Sequence, residues 1–321
     1  LYNIFSFSGW KTIGDNHLGD WGKQFGVLIA AYKEAKPSAK TITIEKLVEL
    51  YVDYTGRMKD NQELEERARQ ETKQLQDGDK ENTKLWKQFY DISLKEFEKI
   101  YKRLGVTFDY YLGESSYNKE LPKIVSEALR KQVAERDEGA VIIPFDDLPP
   151  FIIQKKDEAF LYSTTDLAAI KERVKRFKAD LMLYVVDNGQ SLHFEQLFRA
   201  AGKLGYIKNE TLAHVKFGLL LSEDMKKFST RQGRSVSLEG VLDEAVVRAK
   251  KVVDTKRKDL PEKEREKIAR AIGIAAVKYN DLSQNRQSDI AFRWDKMLNL
   301  EGESAPYILY TYARLMSILR K

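Results

Sequence analysis

Apolar residues recur along this chain at two different spacings, and the change from one to the other organises it. Ile44, Leu47, Val48 and Tyr51 make one helical stripe, and Leu85, Phe89, Ile92, Phe97, Ile100, Tyr101 and Leu104 make a longer one, closed by Gly105. Between them, Asn61 to Asp79 is almost wholly polar, with Glu and Lys or Arg at helix-pair spacing. That pattern predicts a solvated helix rather than a binding surface. Leu121, Ile124, Val125, Ala128 and Leu129 mark the inner face of a further helix. From Ala140 short apolar runs replace the stripes. Ala140–Ile143, Phe151–Gln154, Ala159–Tyr162, Leu181–Val186 and Val215–Leu221 read as strands. Helical spacing then returns over Leu238–Val253, Pro261–Lys278 and Ala305–Leu319, with Pro261 suited to a first helical turn.

Two successive units share one form. The run ending at Tyr162 meets a polar corner at Ser163–Asp166 and then a helix carrying Leu167, Ile170, Val174 and Phe177. Leu181–Val186 meets a corner at Asp187–Gln190 and a helix beginning near Ser191. Strand, turn and helix make the unit of a doubly wound α/β domain, whose ligands sit at the carboxyl ends of the strands. The expected fold is therefore α/β, a doubly wound parallel sheet with a helical insertion, followed by a helical region. Five segments are expected. Residues 1–43 form the first half of the sheet domain, 44–139 the insertion and 140–221 the second half. Residues 222–300 hold a mobile loop and a helical region, and 301–321 a last helix. Within the first segment, Leu1–Gly9 looks like the tail of a helix, Lys11–Ile13 like a short strand and Phe25–Tyr32 like a buried helix. Glycines at 14, 19, 22 and 26 argue for close backbone approach or unusual dihedrals.

Composition removes several function classes. The 321 residues include no cysteine, which excludes disulfides and thiolate metal sites, and the three histidines are too scattered for a His-rich metal site. No apolar run approaches the roughly 18 residues of a membrane span, and the start does not read as a signal peptide. A cytosolic setting without a membrane is the default expectation. The formal charge of +6 fits a polyanionic partner without establishing one. No dinucleotide-binding Gly-rich turn and no Walker-type phosphate loop is present.

The crevice at the two strand ends is offered Tyr162, Asp166, Gln190 and His193. An aspartate at such a corner can accept the paired donors of a guanidinium, with a tyrosine hydroxyl fixing orientation and a glutamine amide meeting an amine or carboxylate. On spacing alone a plainer account stands ahead, in which Asp166 and Gln190 cap their own corners and Tyr162 packs. The loop Ser222–Arg234 carries Lys226, Lys227, Arg231 and Arg234 with Ser229, Thr230 and Gly233. Its cations and hydroxyls suit charge developing on a phosphate, though a solvated hairpin tip has the same composition. Nothing resembles a nucleophile elbow, so a Ser/His/Asp triad is not supported.

Six runs, in order, carry a family resemblance. They are Gly14-Asp-Asn-His-Leu-Gly-Asp-Trp-Gly-Lys-Gln-Phe-Gly26, Tyr162-Ser-Thr-Thr-Asp-Leu-Ala168, Tyr184-Val-Val-Asp-Asn-Gly-Gln-Ser-Leu-His-Phe194, Lys226-Lys-Phe-Ser-Thr-Arg-Gln-Gly233, Lys278-Tyr-Asn-Asp-Leu-Ser-Gln-Asn-Arg286 and Ser304-Ala-Pro-Tyr-Ile-Leu-Tyr-Thr-Tyr-Ala-Arg314. Through them the chain resembles bacterial arginyl-tRNA synthetase, a class I aminoacyl-tRNA synthetase. The resemblance implies a Rossmann-like catalytic core that joins the arginine carboxylate to AMP from ATP, with Mg2+ as counter-ion, and then passes the arginyl group to tRNA. It implies that Asp166 and Tyr162 hold the guanidinium and Gln190 the polar end of the amino acid. It places Lys227-Phe-Ser-Thr230, which includes Phe228, Ser229 and Thr230, on ATP. Lys227 and Arg231 are the first candidates for the pyrophosphate and Lys226 the third. The chain departs from the stricter signature at Thr230, and Gln232 stands where close relatives often have lysine.

The family's His-x-Gly-His run and its amino-terminal domain have no counterpart here, and His17 belongs to a different segment. Ala305–Lys321 matches the first helix of the anticodon-binding bundle. The expectation is a fragment, inactive alone, of a ligase that is monomeric at full length. The rival is a noncatalytic tRNA-binding or regulatory protein derived from such an enzyme.

Overall fold

The computed structural model describes residues 1–37, 42–221, 237–291 and 303–320. The chain forms two compact units, Leu1–Tyr90 with Phe108–Lys216, and Asp91–Thr107 with Phe217–Lys321.

The first unit opens with α1 (Tyr2–Phe7) and α2 (Lys23–Ala35), which buries Val27, Ile29, Ala30 and Ala31. No strand forms at Lys11–Ile13; the neighbouring backbone makes a single parallel bridge, Asp15 to Tyr110. Next come α3 (Ile44–Met58), capped by the Thr43 hydroxyl, and α4 (Gln62–Gln76), capped by the Asn61 side chain. The polar α4 is less solvated than its pattern suggests. Ala68, Glu71 and Leu75 are buried, because Gly26 lets α2 press its backbone against Ala68 and Thr72. Glu71 takes an ion pair from Lys33 at 2.8 Å and a hydrogen bond from the buried Asn82 amide at 2.8 Å, so its charge is not left unpaired. Asn82 belongs to α5 (Lys80–Leu104), whose first residues lie in this unit.

A 3-10 turn at Glu114–Glu120 leads into α6 (Leu121–Arg130). Strands β1 (Glu135–Asp137), β2 (Ala140–Ile143) and β3 (Phe151–Gln154) then form an antiparallel sheet, with Ile142 opposite Ile152 and Ile143 opposite Phe151. The run expected as a strand ending at Tyr162 contributes an isolated bridge, Gln154 to Phe160, and Tyr162 already begins α7 (Tyr162–Phe177). Helix wins there because the Ser163 and Thr164 hydroxyls donate to the Ile152 and Ile153 carbonyls of β3, tying the first turn of α7 to the sheet. Strand β4 (Leu181–Asp187), helix α8 (Ser191–Lys203) and strand β5 (Thr211–Phe217) follow as a strand-helix-strand unit, with β4 and β5 side by side. The α/β expectation holds. The core joins α6, α7 and α8 to β2 and β3. Leu167, Ile170 and Leu197 are wholly buried in it, each contributing about 1.5–3 kcal/mol relative to exposure.

In the second unit the expected Val215–Leu221 strand is divided, with β6 (Leu220–Leu221) beginning after Gly218. Helices α9 (Leu238–Lys256) and α10 (Glu262–Leu282) pack together at small residues, and a Cβ on Gly273 would lie 2.8 Å from the Val246 backbone. Pro261 is the cap of α10 rather than its first residue. Strand β7 (Ile290–Ala291) pairs in parallel with β6, and α11 (Ala305–Leu319) is capped by the Ser304 hydroxyl.

Candidate substrate site

The α7 amino end places the central acid. Its cap residue is Leu161, which makes no side-chain capping bond, so Asp166 is not the cap of its helix. With Leu167, Ala168, Ala169 and Ile170 anchored in the core, Asp166 is held just past the first turn, its side chain 16% exposed. There it meets α8. His193 Nε2 donates to Asp166 Oδ2 at 2.7 Å, and the buried imidazole is fixed by Phe151, Tyr162 and Phe194, with ring centroids 5.6, 4.6 and 5.3 Å away. Tyr162 itself is 57% exposed, so its hydroxyl is available above His193 rather than packed in the core.

A second wall comes from the Gly14–Gly22 loop, which lies along residues 109–115. The Asp109 and Tyr110 amides donate to the Gly14 carbonyl, the Asn16 amide to Tyr110, and the Glu114 amide to Leu18. Asp15 takes the Leu112 amide at 3.2 Å and the buried Arg173 guanidinium at 3.0 and 2.9 Å. Asp20 takes the Ser115 amide at 2.9 Å and its hydroxyl at 2.6 Å. Gly113 is required for that approach, since a Cβ there would lie 2.6 Å from the Asp20 carboxylate. Of the glycines singled out in the sequence, Gly26 allows a close backbone approach and Gly22 takes a φ of 123°, while a Cβ on Gly14 or Gly19 would meet nothing nearer than 3.3 Å.

The two strips of chain bring two further groups to Asp166. His17 Nδ1 donates to the Leu112 carbonyl at 2.8 Å, and His17 Nε2 stands 3.6 Å from Asp166 Oδ1. Burial, and next the Arg173 charge, lower the His17 pKa against the opposing pull of Asp166. The Glu114 carboxyl is pushed up to about 7 by burial first and then by the charges of Asp166 and Asp20, against one backbone N–H from Trp21. An acid whose ionised form is disfavoured by two neighbouring carboxylates favours a bound cation. A guanidinium is one such cation, with five donors and no acceptor.

Of the residues singled out in the sequence, the structure brings together Tyr162, Asp166 and His193. Gln190 is exposed at the cap position of α8 and makes no side-chain capping bond. Lys226, Lys227, Phe228, Ser229, Thr230 and Arg231 lie outside the described residues. Glu114 and His17 were missed. His17 lies 95 positions from its Leu112 partner, and no local spacing joins the two. A signal for Glu114 was its place after Gly113, in a stretch with no helical or strand period.

Among the described residues no cluster of three or more His, Cys, Asp or Glu is arranged for a metal ion, and no helix is long and apolar enough to cross a membrane. A family model described as class I tRNA synthetases (R), catalytic domain, matches residues 1–294. An arginine–tRNA ligase of Fusobacterium nucleatum is 47% identical over all of this chain and 57% of its own length. One from Chloroflexus aggregans is 45% identical over all of this chain and 56% of its own. The chain therefore spans little more than half the length of the curated relatives it matches. The crystal structure of arginyl-tRNA synthetase from Plasmodium falciparum superposes with a TM-score of 0.83 and 29% identity, covering 100% of this chain and 54% of that one. Thermus thermophilus arginyl-tRNA synthetase, at 22% identity, 99% of this chain and 59% of that one, shares the fold with a TM-score of 0.80.

Proposed function

Since the chain belongs to the family of class I (R) tRNA synthetase catalytic domains, we propose that it is the catalytic core of an arginine–tRNA ligase in which Asp166 and Glu114 receive the guanidinium of arginine. The supporting observation is the Asp166 carboxylate, fixed by His193 at 2.7 Å and sharing its surroundings with the Glu114 carboxyl. Fixing the acid before the ligand arrives removes an ordering cost from binding. Tyr162, exposed above the His193 ring, offers its hydroxyl to the same ligand, and Gln190 its amide to the ligand's polar end.

With the side chain held, the chemistry needs placement more than proton transfer. An arginine carboxylate oxygen bonds to the α-phosphorus of ATP, the bond from that phosphorus to its bridging oxygen breaks, and pyrophosphate leaves. The arginyl carbonyl then passes to a terminal ribose hydroxyl of tRNA and AMP leaves. Charge on the departing pyrophosphate is met by Lys227 and Arg231, with Lys226, Phe228, Ser229 and Thr230 completing the loop and Mg2+ accompanying ATP. This assignment rests on the sequence resemblance. The noncatalytic alternative is not favoured, because the relatives matched over the whole chain are ligases.

Calorimetric titration of the chain with arginine, citrulline and lysine tests the reading. The expected order places arginine first and the neutral ureido side chain of citrulline about a hundredfold weaker, since a charged donor is exchanged for a neutral one. Equal affinity for arginine and citrulline would overturn it.

A further inference from the structure

His17 lies at the site without a role in the account so far. Its Nδ1 faces a carbonyl oxygen, which can only accept, so Nδ1 carries the proton and the neutral ring presents a bare lone pair at Nε2. That lone pair faces Asp166 Oδ1 at 3.6 Å, too far for a hydrogen bond, while Oδ2 is already taken by His193. Two acceptor atoms thus stand 3.6 Å apart, and a donor group within reach of both can bond to each.

The charged and titratable neighbours keep the ring neutral. From α7 the Arg173 guanidinium acts on it across the same pocket wall, and Asp166 acts in the opposite sense. From its own loop comes Asp15, which spends its carboxylate on Arg173 and the Leu112 amide. From the 3-10 turn comes Tyr117, whose ring lies 5.9 Å from the imidazole and whose buried hydroxyl has no hydrogen-bond partner. Burial of the ring, the largest influence, also favours the uncharged form.

Resting on the arginine reading above, we infer that His17 is a specificity-determining residue of this site, its neutral Nε2 accepting an N–H of the ligand guanidinium next to Asp166 Oδ1. An acceptor here rewards a side chain whose terminal nitrogens bear only donors. It is silent toward the carbonyl oxygen of a ureido group, which would face it acceptor to acceptor. Asp166 supplies the charge, and His17 supplies a contact that survives only while its ring stays unprotonated.

The test compares His17→Phe with His17→Gln. Phenylalanine has neither ring-nitrogen contact, and the glutamine amide replaces the Nε2 side of the ring rather than the Nδ1 side that bonds the Leu112 carbonyl, so a role limited to that carbonyl bond weakens arginine binding equally in the two. The proposal predicts that H17F loses about tenfold to a hundredfold in arginine affinity and that H17Q, whose side-chain oxygen can accept from the ligand, recovers most of it. Nitrogen-15 spectra of the histidine-labelled unsubstituted chain give a reading that does not depend on either variant folding. At pH 7.5, Nε2 should be unprotonated in the free chain and shift toward a hydrogen-bonded acceptor when arginine is added, with Nδ1 unchanged. An imidazolium in the complex, an Nε2 signal unmoved by saturating arginine, or equal losses in H17F and H17Q would overturn the assignment while leaving the arginine reading intact. Absence of arginine binding to the unsubstituted chain would overturn that reading, and this inference with it.

Discussion

Replacing Glu114 with glutamine should stabilise the free protein and weaken its hold on arginine. In the folded chain the carboxyl titrates near 7 instead of 4.5, because burial and then Asp166 and Asp20 disfavour its charge. Below about pH 4.5 both folded and unfolded chains hold the proton, and the residue contributes no pH dependence. Between 4.5 and about 7 the unfolded chain ionises first, so stability falls as pH rises. Above about 7 the loss is complete. A rise from 4.5 to about 7 corresponds to about 3 kcal/mol at most, and discounting for partial exposure leaves about 1–2 kcal/mol.

Glutamine keeps the shape and removes the charge. Urea unfolding followed through Trp21 and Trp86, which lie 5.4 Å apart in the same unit, should show E114Q more stable than the unsubstituted chain at pH 8 and indistinguishable from it at pH 4.5. Arginine titrations at pH 8 should show the opposite order, with about tenfold weaker binding. A residue that costs stability and supports binding is the signature of a functional group. If E114Q is less stable at pH 8, or binds arginine equally well, the reasoning about this carboxyl is wrong.

Gly113→Ala should cost about 1–3 kcal/mol by driving a Cβ into the Asp20 carboxylate, and should weaken arginine binding by displacing the neighbouring Glu114; denaturation and calorimetry on the same samples check both. Glu127, which receives Lys131, Lys171 and the Tyr206 hydroxyl, behaves oppositely to Glu114: although burial pushes its pKa up, those hydrogen bonds win and bring it down to about 2. Its contribution is therefore present above pH 4.5 and lost as pH falls toward 2, so E127Q should be destabilised at pH 7 by about 1–2 kcal/mol after discounting for solvent screening, with no change in arginine affinity, in paired urea and binding curves.

Much of the architecture was legible because helices announce themselves by period. The stripe from Leu85 to Leu104 and the Leu181–Lys203 strand and helix stand where apolar spacing placed them. Asp166 was legible as a candidate, but spacing alone put the plainer reading ahead, since a corner aspartate ordinarily caps its helix. The structure places Leu161 at the cap position instead and His193 against the acid. Ser163 and Thr164 were misleading. Hydroxyl residues ordinarily signal a turn, but here they bond to the carbonyls of β3 and sit buried within helix. The second wall was out of reach for a different reason. Glu114 and His17 face Asp166 through a lattice of backbone bonds between residues 14–20 and 109–115, and such long-range pairing leaves no mark on local periodicity. Helix α4 (Gln62–Gln76) shows the same limit, since packing against Gly26 by small residues has no apolar stripe to display.

The central claim is that Asp166 receives a guanidinium, and equilibrium binding of arginine to the chain carrying Asp166→Asn tests it most directly. The amide preserves volume and can still accept from His193, while losing the charge that a flat cation requires, so affinity should fall about a hundredfold or more. Discrimination between arginine and citrulline should largely vanish with it. An Asp166→Asn chain that binds arginine as tightly as the unsubstituted one, and still prefers it to citrulline, would contradict the account.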